Sequence, residues 1–100
     1  LPVPIYHKAL ERLALLLKRQ QRNDEAVPLW QQWAATSFGE VNAHVELAKY
    51  YEWHEKDIKS AEGWTLEALS LIDTWSGQRA ELVRPELTHR LARLQRKLSD

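Results

Sequence analysis

The chain has no cysteine. Disulfides and thiolate zinc centres are therefore excluded, and the redox compartment leaves no mark on the sequence. Methionine is absent too, even at position 1, which reads as a domain cut from, or processed out of, a longer product. The three glycines stand alone, so no glycine-rich loop can wrap a phosphate. No apolar run approaches the roughly 20 residues of a membrane-spanning helix. Leu1-Pro2-Val3-Pro4 lacks the basic start, apolar stretch and cleavage site of a secretion signal. A soluble chain of the cytoplasm is the expectation.

Net charge is missing as well, since 14 Lys and Arg balance 14 Asp and Glu. The balance is uneven along the chain. Residues 1–22 hold five Lys or Arg against one Glu, residues 40–75 eight Asp or Glu against three Lys, and residues 79–100 six basic against three acidic. Basic ends around an acidic middle suit either solvated helix faces or the steering of a charged partner. At 100 residues, 44% of them hydrophobic, the chain has material for one core.

What is present is helical periodicity. Residues 1–4 are expected as an extended linker, because a residue ahead of proline is pushed out of helical geometry. Residues 5–100 then form a single helical domain. Leu10, Leu13, Ala14 and Leu17 predict a helix from about Ile5 to Gln20. A second runs from about Asp24 to Ala35, with Asn23 or Asp24 as its cap, Pro28 near its start and Gly39 as a left-handed stop. A third, about Glu40 to Trp53, and a fourth, from an Asp57 cap to about Asp73, make a hairpin. Ala48 and Ala61 are small where the two axes must approach to about 8–10 Å, and Gly63 implies a close neighbour. The segment Gln78 to Leu98 is helical, with Pro85 either starting or kinking it and Leu87, Leu91, Leu94 and Leu98 as its seam. The expected core is Leu13, Ala14, Leu17, Ala26, Trp30, Leu47, Ala48, Tyr51, Ala61, Ala68 and Leu91.

Leu13-Ala14 recurs thirty-four residues on as Leu47-Ala48, with Leu17 and Tyr51 in equivalent places and Ala26 and Ala61 marking the partner helices. This period and these residues resemble the tetratricopeptide repeat, a helix–turn–helix unit. Two departures are that neither hairpin has the usual turn glycine and that Trp33 replaces a small residue. The resemblance implies an all-α fold of two tetratricopeptide-like hairpins plus a closing C-terminal helix, a right-handed α-α superhelix. The runs LAKYYE (Leu47–Glu52), WTLEAL (Trp64–Leu69) and HRLARL (His89–Leu94) are also similar to the helical tail of bacterial ribonuclease-H-like predicted exonucleases. That likeness implies a module beside a catalytic domain whose acidic metal ligands lie elsewhere, so none is assigned here.

Chemistry within the chain is sparse. His7, His44, His54 and His89 are scattered, and His54-Glu55 opens like a zinc-protease motif but has Ile58 where the second His belongs. All four read as surface histidines. Phosphate loop, dinucleotide fingerprint and nucleophile elbow are absent. Asp24-Glu25 reads as helix-start charge rather than an acid/base couple. No enzymatic activity, metal or cofactor is expected. Trp30, Trp33 and Trp64 read as core, and Trp53 and Trp75, beside turns, as candidates for a contact surface.

The expected function is a non-catalytic protein–protein interaction or scaffold module. The register of the Leu-Ala pairs puts Lys8, Glu11, Leu15 and Lys18, then Asn42, Val45, Lys49 and Glu52, then Glu86, His89, Arg93 and Arg96 on one concave face. The candidate partner-binding residues are Lys8, Lys18, Lys49, Trp53, His89, Arg93 and Arg96. Their positive balance favours an acidic peptide or a free carboxyl terminus. Alternatives are nucleic acid bound through the basic last helix, with Arg84, Arg90, Arg93, Arg96 and Lys97, and stacking on further copies of the chain. A last helix that fills the groove would leave no site.

Overall fold

The computed structural model describes residues 2–100. Five helices follow in order: α1 (Val3–Arg19), α2 (Asn23–Thr36), α3 (Asn42–Trp53), α4 (Ile58–Ile72) and α5 (Arg79–Ser99). The described residues contain no strand, and the fold is all-α. Each helix packs on its neighbours in sequence, which gives an open row of 43 × 36 × 17 Å. Tyr6 donates to Gln32 Oε1 at 3.1 Å and His7 meets Thr36 Oγ1 at 2.7 Å, so the start of α1 lies beside the end of α2.

Two apolar clusters hold the row together. Leu10 and Ala14 of α1, Ala26, Trp30, Trp33 and Ala34 of α2, and Ala43, Leu47 and Tyr50 of α3 form the first. Val41, Ala68 and Ile72, with Ala80 and Leu87 of α5, form the second. Each buried Leu or Ile contributes about 1.5–3 kcal/mol, an amount that position-by-position periodicity can secure. Ala48 and Ala61 are both buried, as close approach of α3 and α4 requires.

The expected core needs correcting at the ends of the row. Leu13 is 48% exposed, whereas its counterpart Leu47 is 0%. The reason is position: α3 has a helix running close on either side, whereas the backbone of α1 approaches that of α2 alone. Leu17, Tyr51 and Leu91 are half-buried rather than core. In α5 the covered stripe is Ala80, Val83, Leu87, Arg90 and Leu94, and Leu98 is left at the surface.

Helix ends also differ in instructive ways. Val3 and Pro4, expected as part of a linker, open α1 instead, because the missing N–H of a first-turn proline has no helical partner to lose. Leu1 lies outside the described residues. Neither Asn23 nor Asp24 caps α2; Asn23 is its first residue, and Arg22 closes the turn on Glu25 at 2.6 Å. Asp57 does cap α4, accepting from the Ser60 amide at 3.1 Å. Pro28 and Pro85 both lie inside continuous helices, so Pro85 does not begin a new one.

The left-handed turn residues are Gln21 (φ 61°), Lys56 (φ 57°) and Gly77 (φ 87°), not Gly39. After α1, the Arg22 amide reaches Leu17 O at 2.8 Å and the Gln21 amide reaches Lys18 O at 3.0 Å, a Schellman closure made without glycine. A Cβ on Gly63 would meet nothing within 4 Å, so no close neighbour explains that glycine.

Candidate functional site: a cleft along alternate helices

The row leaves one side open. A cleft of about 570 Å³ runs across α1, α3 and α5, with Glu11, Leu15 and Lys18 from α1, Asn42, Val45 and Glu46 from α3, and Leu82, Val83 and Glu86 from α5. Trp30, Trp33 and Trp75 reach its floor between those helices. The alternation follows from the packing: α2 and α4 are the layer behind, and the odd-numbered helices face forward. Helix α5 is therefore a wall of the cleft and does not fill it.

Two loops hold the tryptophans in place. Trp33 Nε1 donates to Glu40 Oε1 at 2.6 Å, which satisfies the indole of a buried ring. Trp75 Nε1 donates to Phe38 O at 2.6 Å, and the Arg79 guanidinium lies 4.6 Å from the centre of its ring while also donating to Gly39 O. The α2–α3 loop is thus pinned to the start of α5. Phe38 and Leu82 remain 72% and 81% exposed on either side of that junction.

Charge in the cleft is not what the register led one to expect. Glu11, Glu40, Glu46 and Glu86 line it against Lys18 and Arg79, four carboxylates to two cations. Lys18 and Lys49 both bind Glu46, at 2.9 and 3.1 Å. Burial works to raise the Glu46 pKa, but the hydrogen bonds and charges of the two lysines outweigh it and hold the carboxyl below its ordinary value.

The expected concave set is divided among several places. Glu11, Leu15, Lys18, Asn42, Val45 and Glu86 share the cleft. Lys8 borders a separate hollow at the open end of α1, with Phe38 and Arg79. Lys49 and Trp53 border a smaller cavity of about 190 Å³ at the C-terminal end of α3. His89 and Arg96 are exposed on α5 outside these hollows. Glu52 is not on a surface at all. Its carboxylate is fully buried and accepts from Arg93 Nη2 at 2.8 Å, Arg93 Nε at 3.0 Å and Lys97 Nζ at 2.7 Å, with Arg90 Nη1 at 3.5 Å. Arg93 is accordingly a strut between α3 and α5, not a free cation awaiting a partner. Burial raises the Glu52 pKa, yet the hydrogen bonds from Arg93 and Lys97 and their charges prevail and keep it low.

Sequence reasoning missed Trp33, Leu82, Arg79 and Glu40 as cleft residues. Leu82 carried a usable signal, being an apolar residue off the covered stripe of α5. His44 also departs from expectation: it is buried, edge-on to Trp64 at 5.9 Å between ring centres. Burial lowers its pKa, partly opposed by the charge of Glu67. Among the described residues no group of three or more potential ligands gathers to hold a metal. No described helix is long and apolar enough to cross a membrane.

The chain is 37% identical over 89 residues to an uncharacterized protein, YprB, of Bacillus subtilis (strain 168). The match takes in 87% of this chain and 21% of that protein, so the chain spans about a fifth of its relative's length. No family model and no solved structure matches.

Proposed function

We propose that the chain is a non-catalytic interaction module that seats an apolar, basic segment of a partner protein in the cleft across α1, α3 and α5. The observation that carries this reading is the cleft's composition, an apolar floor with an acidic surplus. Leu15, Val45, Leu82 and the half-buried Trp75 supply apolar surface for a partner to cover, while Glu11 and Glu40 supply complementarity for Lys or Arg. A segment with apolar anchors flanked by basic residues fits better than the acidic peptide first expected. The tetratricopeptide-like register supports the reading, since it too turns alternate helices toward one face. The similarity to a protein about five times the matched length agrees with a module working beside other domains.

Selection from a displayed peptide library tests it. The expected winners carry Leu, Ile or aromatic anchors flanked by Lys or Arg, and Leu82→Asp abolishes their binding without lowering the melting temperature. Enrichment of acidic peptides, or normal binding by Leu82→Asp, sinks the assignment. A second reading, self-association, is favoured by the face of α1 turned away from α2, where Ile5, Leu13 and Leu16 are 55%, 48% and 50% exposed. Light scattering over a concentration series decides it, since a constant monomer mass leaves that face unused.

A further inference from the structure

The face of α3 that lines the cleft continues beyond it. Asn42, Val45 and Glu46 are followed at helical spacing by Lys49 and Trp53, and α1 contributes Glu11, Leu15 and Lys18 opposite. Past the Lys18–Glu46 ion pair the cleft meets the cavity of about 190 Å³, with which it shares Lys18, Trp30 and Glu46. Trp30, Tyr50, Trp53 and His54 wall that cavity with rings. A dry cavity of roughly 150 Å³ is enough for a benzene ring, whereas a drug-sized ligand needs about 300–1,000 Å³. The space suits one aromatic side chain.

The rings are held before any guest arrives. Trp53 is 52% exposed, yet Lys97 Nζ lies 4.1 Å and Arg93 Cζ 5.7 Å from its ring centre. Both cations are anchored on the buried carboxylate of Glu52. Tyr50 stacks on His54 at 5.7 Å, lies 6.3 Å from Trp30 and donates to Glu55 Oε1 at 2.7 Å. A surface of fixed rings loses little side-chain freedom on association. A further ring can meet them edge-on or offset, at centre distances of about 4.5–7 Å.

Charge narrows the guest further. Lys18 and Lys49 are both tied to Glu46, at 2.9 and 3.1 Å, so neither is free to hold an anion. Two lysines beside one carboxylate also turn away an ammonium or guanidinium group. A neutral ring is what remains. We infer that the cavity is an aromatic-anchor subsite of the cleft. The partner segment that seats its basic residue at Glu11 and Glu40 places a Phe or Tyr side chain against Trp53 and Tyr50. This subsite rests on the reading of the cleft as a partner seat, and adds the register of the segment. Asn42 and Trp53 are about 16 Å apart along the axis of α3. About five extended residues span that distance. The aromatic residue therefore stands about five positions from the basic one.

N-acetyltyrosinamide titrated into the isotope-labelled whole chain tests the cavity without a partner. It should shift the Trp53 indole N–H resonance saturably, with the signal assigned by its loss in Trp53→Phe. N-acetylleucinamide should shift it less, and N-acetyllysinamide should leave it in place. No shift with the tyrosine amide, or equal shifts with all three, overturns the inference. The displayed peptide library supplies the second measurement. Its winners should carry Phe or Tyr about five positions from a Lys or Arg. Replacing that ring by Ala should weaken binding to wild type about 10- to 100-fold, and to Trp53→Ala by less than about twofold. Equal losses on both proteins overturn the subsite and leave the Leu82-dependent cleft standing. If instead Leu82→Asp binds normally, the cleft reading falls while the tyrosine-amide shift still upholds the cavity.

Discussion

Replacing Glu52 by Gln is the sharpest probe of how α5 is held. The change preserves shape and removes one negative charge from a side chain with 0% exposure. Three cations converge on that carboxylate, at 2.7 to 3.5 Å, and they come from Arg90, Arg93 and Lys97, spaced three and four apart on one face of α5. Removing one partner of a fully buried pair costs about 3–5 kcal/mol. Here Arg93 and Lys97 are 29% and 35% exposed and can turn partly toward water, so the lower end is discounted to about 2–3 kcal/mol. For a domain of this size that is a fall in melting temperature on the order of 10–20 °C. Urea unfolding should show a lower midpoint with an unchanged slope. The pH dependence gives a second reading of the same contact. A carboxylate whose folded pKa is depressed adds stability above its unfolded value and loses it as pH falls through the folded one. Wild type should therefore lose stability below the ordinary glutamate range more steeply than Glu52→Gln. A variant within about 0.5 kcal/mol of wild type, with a parallel acid limb, would refute the assignment of Glu52 as the tie between α3 and α5.

Two further changes test the packing inside the row. Ala48→Leu adds volume where α3 meets α4 and should cost about 1–3 kcal/mol in urea unfolding; an unchanged midpoint would mean that Ala48 is not at a helix contact. His44 should make the protein acid-sensitive at a higher pH than its carboxylates do. Its folded pKa is lowered by burial, so its neutral form is the one that fits, and stability is complete above the unfolded value near 6.5 and declines as pH falls below it. His44→Phe keeps the edge-on contact with Trp64 and removes a buried Nδ1 that has no hydrogen-bond partner. The variant should gain stability relative to wild type between pH 6.5 and 5, and parallel curves for the two would count against a buried neutral imidazole.

The sequence made helices legible wherever a local pattern decides the outcome. Each of the five helices was placed to within a few residues, and Asp57 was recognised as a cap because its partner, the Ser60 amide, is three residues away. Ala48 and Ala61 were recognised for a similar reason, since smallness at a repeat position carries its own meaning. What escaped was decided by distant residues. Leu13 and Leu47 occupy equivalent repeat positions, and only the number of neighbouring helices separates an exposed leucine from a buried one. Glu52 was assigned to the concave surface because the register of the Leu-Ala pairs turns its position that way. Its burial depends on Arg93 and Lys97, 41 and 45 residues further on, and no window of local sequence contains both sides of that contact. The same contact changed the charge expected of the site. Arg93 is tied to Glu52, Lys18 and Lys49 to Glu46, and Glu86 to Arg90, so the open cleft keeps Glu11 and Glu40 against Arg79, the balance on which the proposed basic partner rests. Counting charges on a helical face gives their number; which of them remain unpaired is a tertiary property, and partner chemistry follows from the unpaired ones.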